Sequence, residues 1–152
     1  MLKPASLIEY GLYVENVDRA ADWYRRLFGF PVLLKEADRL RALQAGEQQV
    51  LLLFKKGGST AGVPTPTGFI PPHDGSGPVH FAFAMEPDEV DHWKSHLQRH
   101  SIPIESTIHW PEGGWSFYFR DPDGHLVELV TPRQWPFQPW PQLVATVQEE
   151  TR

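Results

Sequence analysis

The chain predicts an α+β fold in which two paired βαβββ modules form a cupped mixed sheet around a metal site. Three observations predict it. First, Glu9-Tyr-Gly-Leu-Tyr-Val14 and His80-Phe-Ala-Phe-Ala-Met85 read as one strand written twice. Each opens on a possible metal ligand, places a small residue two positions later and ends on an apolar residue. Second, each runs through a polar turn into an amphipathic helix. Third, Phe119-Arg-Asp-Pro-Asp-Gly-His-Leu-Val-Glu128-Leu supplies a tight turn and a carboxylate on the strand after it. A βαβββ unit cannot bury both faces of its sheet alone, so two are expected to pair.

The elements follow in order. Residues 6–14 alternate as a strand, with Leu7, Glu9, Gly11 and Tyr13 on one face and Ile8, Tyr10, Leu12 and Val14 on the other. Asn16 and Asp18 start a helix whose apolar stripe is Val17, Ala20, Ala21, Tyr24, Leu27 and Phe28, and Gly29 stops it. Residues 30–35, 40–45 and 49–55 read as three strands, closing module one at about residues 6–56. Residues 57–78, rich in Gly, Pro, Ser and Thr, read as a linker. Module two covers about 79–132. Its helix opens near Pro87-Asp-Glu89, and strands follow at 102–108, 115–120 and 125–131. The tail, 133–152, carries Trp135, Phe137 and Trp140 among prolines, which suggests packing on the body or on a second subunit.

Composition narrows the function classes. The 152 residues include 14 Lys and Arg, 19 Asp and Glu and no Cys, for a net charge of −5. The absence of cysteine excludes disulfides, thiolate metal sites and cysteine nucleophiles. Basic residues are not clustered, which argues against nucleic acid or an anionic membrane as partner. No apolar stretch reaches the ~20 residues of a membrane span. With no secretion signal pattern at the N-terminus, the expected location is cytoplasmic.

Candidate chemistry follows from strand parity. His80, Ala82 and Ala84 share one face, Glu9 shares one with Gly11 and Tyr13, and Glu128 shares one with Leu126 and Val130. Small neighbours leave a hollow beside Glu9 and His80. A carboxylate facing a hollow needs a partner, a proton or a cation. Two carboxylates and an imidazole suit one divalent metal ion, Mn, Ni, Zn or Fe, with positions open for substrate. Each residue alone has a commoner structural role; the repeat is what links Glu9 and His80. Tyr13, His109, Trp110, Trp115, Tyr118 and Arg120 are candidate substrate-binding residues, with Pro111-Glu-Gly-Gly114 as a closing turn. His73 and Asp74 read as solvated linker residues. His92, His96 and His100, at helical spacing, read as a polar helix face.

Three segments carry a resemblance to a known family: Tyr13-Val-Glu-Asn-Val-Asp-Arg-Ala-Ala-Asp-Trp-Tyr-Arg-Arg-Leu-Phe-Gly-Phe30, Gly77-Pro-Val-His-Phe-Ala-Phe83 and Phe117-Tyr-Phe-Arg-Asp-Pro-Asp-Gly-His-Leu-Val-Glu-Leu129. Over residues 6–132 the chain resembles the vicinal oxygen chelate superfamily, also called the glyoxalase/bleomycin resistance/dioxygenase family. The resemblance implies metal ligands at Glu9, His80 and Glu128, where the family commonly has His at the first position. It implies a small-molecule substrate that chelates the metal through neighbouring oxygens, and a homodimer in which a site can draw Glu9 from one subunit and His80 with Glu128 from the other. Glyoxalase I-like members add an acid late in module one; the matching Val50-Leu-Leu-Leu-Phe54 has none. One His and two carboxylates also fit ring-cleaving dioxygenases poorly. Fosfomycin-modifying thiol transferases share the three-ligand layout and the Tyr118 position, without their potassium and phosphonate contacts here.

The expected function is a metal-dependent enzyme with isomerase, lyase or thiol-transfer chemistry. Glu9 and Tyr118 are its candidate catalytic residues, Glu9 because a carboxylate ligand can also serve as base. The alternatives are a protein that sequesters a drug or metabolite, a ring-cleaving dioxygenase, and a partner-binding domain using the Trp-rich tail.

Overall fold

The computed structural model describes residues 1–111, 113–132 and 135. The fold is α+β, with two four-stranded mixed sheets and one principal helix beside each. The chain divides into two compact units, Met1–Val79 with Arg120–His125, and His80–Phe119 with Leu126 onward.

In the first unit, β1 (Glu9–Val14) leads into α1 (Val17–Phe28), then β2 (Val32–Glu36), β3 (Leu40–Gln44) and β4 (Val50–Lys55). The sheet order is β1-β4-β3-β2, with β1 parallel to β4 and the other pairs antiparallel. The helix starts where the Asn16 side chain accepts the Arg19 N–H at 2.9 Å. It stops where Gly29, at φ 72°, donates its N–H back to Arg25 O. Its stripe of Val17, Ala20, Ala21, Tyr24 and Leu27 is buried, as are Leu12, Val14, Leu43, Leu51 and Leu53 of the sheet. Burying each large aliphatic side chain contributes about 1.5–3 kcal/mol. The other face of β1, with Glu9, Gly11 and Tyr13, is open or half-buried.

Strand limits differ from the sequence reading where proline intervenes. Pro31 stands before β2, and Ile102-Pro-Ile104 stays outside β8 (Ser106–His109), because proline offers no ladder N–H. The linker is more ordered than its composition suggests. It contains β5 (Val63–Thr65) and β6 (Gly68–Ile70), a short antiparallel hairpin. At the β2–β3 turn Ala37 takes φ 42°, a left-handed value for a residue with a Cβ. Next to it Arg41, 6 % exposed, forks onto Asp18 at 2.8 and 3.0 Å and donates to the carbonyls of Ala37 and Leu40.

The second unit comprises β7 (His80–Ala84), a 3₁₀ turn at Pro87–Glu89, α2 (Val90–Arg99), β8, β9 (Trp115–Arg120) and β10 (Leu126–Val130). Its order, β7-β10-β9-β8, repeats that of the first sheet, with β7 parallel to β10. Phe117, Phe119, Val127, Leu129 and Leu97 form its core. Trp135 is 56 % exposed. The expected packing of Phe137 and Trp140 lies outside the described residues. No helix among the described residues is long and apolar enough to cross a membrane.

The turn 120–125 is held by several polar contacts, although Asp123 Oδ2 is buried there without a hydrogen-bond partner. Asp121, 5 % exposed, accepts from the Tyr24 hydroxyl (2.8 Å) and from the N–H groups of Asp123 (3.0 Å) and His125 (2.8 Å). His125, 2 % exposed, is bonded at both ring nitrogens, Nε2 to Tyr13 O (3.1 Å) and Nδ1 to the Val79 N–H (3.2 Å). A carbonyl only accepts and an N–H only donates, so Nε2 carries the hydrogen and the ring is neutral.

Burial, then Asp121, holds the Tyr24 phenol well above its ordinary value. A raised phenol pKa contributes stability that is fully present below about pH 10 and is lost as pH climbs toward the folded value. Tyr24→Phe is therefore expected to cost about 1–3 kcal/mol in urea titration at pH 7, because Asp121 loses a donor. The same variant should lose less stability than the parent between pH 9 and 11.

Candidate functional site

Two strands of the second unit bring His80 and Glu128 together. The parallel register sets Leu126 beside His80 and Glu128 beside Ala82, so both side chains stand on one face, one step apart. Ala82 and Ala84 are exposed and leave that face low. Tyr118 joins them from β9. The bonds Thr131 N–H to Trp115 O (2.9 Å) and Asp121 N–H to His125 O (3.1 Å) bracket the β9–β10 pair and set Tyr118 across from Glu128.

The electrostatics of this group are unbalanced. Glu128 is 5 % exposed. Its Oε2 lies 3.2 Å from His80 Nε2, and its Oε1 is buried with no hydrogen-bond partner. His80 Nδ1 lies 3.2 Å from Leu126 O, and since the carbonyl can only accept, Nδ1 carries a hydrogen. In the neutral ring Nε2 then aims a lone pair toward the carboxylate. A proton on Nε2 relieves that repulsion but satisfies only Oε2. A cation relieves it and also answers Oε1, so the donor set fits a divalent metal: an imidazole with its other nitrogen fixed by a carbonyl, and a desolvated carboxylate. The Tyr118 phenol is held above its ordinary pKa by burial first and by its hydrogen bond to Glu128 next, so it stays a protonated donor. Among the described residues no group of three or more His, Cys, Asp or Glu side chains is placed to hold a metal; of the three expected ligands, His80 and Glu128 lie together in the second unit and Glu9 heads β1 of the first.

The other candidates divide by face. Arg120 shares the parity of Tyr118 and donates to Gly124 O at 3.1 Å. Trp110 Nε1–H donates to Ser116 Oγ at 2.8 Å, on the Tyr118 side of β9. Trp115 and His109 do not join that group. They pair across β8 and β9 with rings 4.7 Å apart, on the face that carries Phe117, and Lys94 Nζ of α2 lies 4.9 Å from the Trp115 ring centre. Alternation in β9 already separates Trp115 from Tyr118. His92, His96 and His100 do line α2, with the last two rings 4.4 Å apart.

Glu9 and Tyr13 lie on the open face of the first sheet, with Gly11 between them. Phe54 stacks on Tyr13 at 5.7 Å and approaches Gly11. The linker returns to this face, contrary to the expectation that His73 is solvated. The Tyr13 hydroxyl meets His73 Nδ1 at 2.7 Å, and the His73 ring stands edge-on to Phe54 at 4.6 Å. Asp74 anchors the segment by accepting the Gly57 N–H. Burial, then Asp74, raises the Tyr13 phenol. A separate depression lined by Arg39, Lys55 and Lys56 offers little to an anion, since each cation is ion-paired, to Glu36, Asp38 and Glu15.

Residues 6–129 match the model of the Glyoxalase/Bleomycin resistance protein/Dioxygenase superfamily. The chain belongs to this superfamily. Among solved structures, lactoylglutathione lyase from Agrobacterium tumefaciens is 36 % identical with a TM-score of 0.80, covering 88 % of this chain and 98 % of that one. TioX from Micromonospora sp. ML1 is 23 % identical (TM-score 0.64; 84 % and 98 % covered), and the fosfomycin resistance protein FosX from Listeria monocytogenes is 17 % identical (0.62; 85 % and 92 %). The last two establish the fold alone. For this superfamily member, the repeat of one βαβββ pattern in both units is what sets His80 at the head of β7 as Glu9 heads β1.

A buried carboxylate with an unanswered oxygen costs stability when no cation is present. Glu128→Gln is therefore expected to raise the stability of metal-free protein by about 1–3 kcal/mol, measured by urea titration in chelator at pH 8.

Proposed function

We propose that this chain is a divalent-metal enzyme acting on a small substrate with two neighbouring oxygens, by isomerase, lyase or thiol-transfer chemistry. The observation that carries the reading is the buried Glu128 Oε1 without a partner, beside the Nε2 of His80. The similarity to a lactoylglutathione lyase supports lyase chemistry and makes that activity the first to assay. The absence of an acid in Val50–Phe54 keeps the substrate choice open within the three reaction types.

His80 and Glu128 would hold the metal, one ion of Mn, Ni, Zn or Fe, with Glu9 as third ligand. When bound, it would act as a Lewis acid toward the substrate oxygens. The protein's own groups do the rest. Tyr118, kept protonated, donates a hydrogen bond to an oxygen that gains negative charge. In an isomerisation of an α-hydroxy carbonyl, a Glu9 carboxylate oxygen would take the proton from the hydroxyl-bearing carbon and return it to the former carbonyl carbon, while the hydroxyl proton passes to the former carbonyl oxygen. The working form in this reading is a cytoplasmic homodimer, in which Glu9 can serve its own chain's pair or that of its partner.

A second reading, sequestration of a drug or metabolite without catalysis, is favoured by one observation, the aromatic group of Tyr13, Phe54 and His73 on the open face of the first sheet.

Metal analysis by mass spectrometry separates the two. The purified protein should hold about one divalent ion per chain, and Glu9→Ala, His80→Ala and Glu128→Ala should each lose most of it. Protein that stays metal-free after incubation with Mn²⁺, Ni²⁺, Zn²⁺ and Fe²⁺ would overturn the enzyme reading.

A further inference from the structure

Trp110 follows directly on β8, and the backbone beside it closes on the residue itself. Its N–H donates to Gly114 O at 3.1 Å, and its carbonyl accepts the Gly113 N–H at 2.9 Å. Gly113 at φ 83° and Gly114 at φ 115° adopt backbone angles that a side chain would strain. From this fixed base the indole Nε1–H reaches Ser116 Oγ at 2.8 Å. Ser116 is 0 % exposed, so water does not compete for that oxygen.

The contacts continue along one face of β9. Ser116 and Tyr118 lie two residues apart in the strand and share that face. The Tyr118 hydroxyl is hydrogen-bonded to both Ser116 and Glu128. Glu128 in turn lies 3.2 Å from His80. Counting hydrogens gives each bond a direction. An indole N–H can only donate, so Ser116 accepts from Trp110. An ionised carboxylate can only accept, so Tyr118 gives its one hydrogen to Glu128. The hydrogen between Ser116 and Tyr118 must then come from Ser116. The chain of donors runs from Trp110 through Ser116 and Tyr118 to Glu128, and all four residues belong to the second unit. A buried serine hydroxyl can otherwise turn toward neighbouring backbone groups. The indole fills one lone pair of the oxygen and holds it where its hydrogen meets Tyr118.

We propose that Trp110 is a positioning residue: through Ser116 it holds the Tyr118 hydroxyl on Glu128, and so fixes the carboxylate that would bind the metal. Its effect on metal rests on the proposed function; the chain of donors does not. Outer partners of a metal ligand commonly carry about a 10- to 100-fold share of the affinity.

The test is a double-mutant cycle on Trp110 and Tyr118. Trp110→Phe keeps an aromatic ring and removes the N–H, and Tyr118→Phe removes the hydroxyl. Zn²⁺ is the first probe, titrated against a competing chelating dye, and only the binding that His80→Ala abolishes is counted. Tyr118→Phe should weaken that binding about tenfold and Trp110→Phe about fivefold. In a Tyr118→Phe or Ser116→Ala background, Trp110→Phe should change it by less than about twofold. Two results overturn the proposal: Trp110→Phe leaves the parent's affinity within about twofold, or its cost persists undiminished in either background. A general loosening of the fold gives the second result and is not mistaken for positioning. Should the parent bind none of Zn²⁺, Mn²⁺, Ni²⁺ and Fe²⁺ through His80, the proposed function fails, and the cycle is read by urea titration in chelator. There a smaller midpoint shift from Trp110→Phe in the Tyr118→Phe background than in the parent upholds the chain of donors. Equal shifts overturn it too.

Discussion

A carboxylate taken out of water must be answered by donors or by a cation, and this constraint separates two acids seven residues apart. Asp121 receives a hydroxyl and two backbone N–H groups. Glu128 receives far less, and one of its oxygens has nothing. The first acid is structural. It fixes the turn onto α1, and with His125 the turn ties the end of β1 to the residue that precedes β7. The second acid sits where the chemistry is expected, on a strand that leaves that turn two residues earlier.

Much of this was legible in the sequence. Alternation in the two repeated strands put Leu12 and Val14 inside and left Glu9, Gly11 and Tyr13 open, and the same parity put His80 with the alanines. Asn16 and Gly29 marked the ends of α1 because capping chemistry is local. The pairing of Glu128 with His80 also followed from parity once β7 and β10 are neighbours.

What was not legible is long-range. The bond from Tyr13 to His73 joins residues 60 apart, and no local pattern announces it. The β5–β6 hairpin hides in a Gly- and Pro-rich composition that ordinarily marks a loop. Trp115 and His109 were grouped with Tyr118 for their aromatic chemistry, although strand parity alone sends Trp115 to the side of Phe117. Chemistry suggested a partner that geometry denies. Superfamily membership alone does not choose a reaction, because one fold hosts many chemistries.

Ala37 carries a consequence of a different kind. Its backbone sits at φ 42°, where a glycine would rest without strain, yet the chain keeps a methyl group there beside the anchored Arg41. The fold therefore holds an unspent margin at a place remote in sequence from every candidate ligand. In a laboratory lineage selected for new substrates, glycine at this turn is the kind of silent first step that lets a later, disruptive change elsewhere be carried.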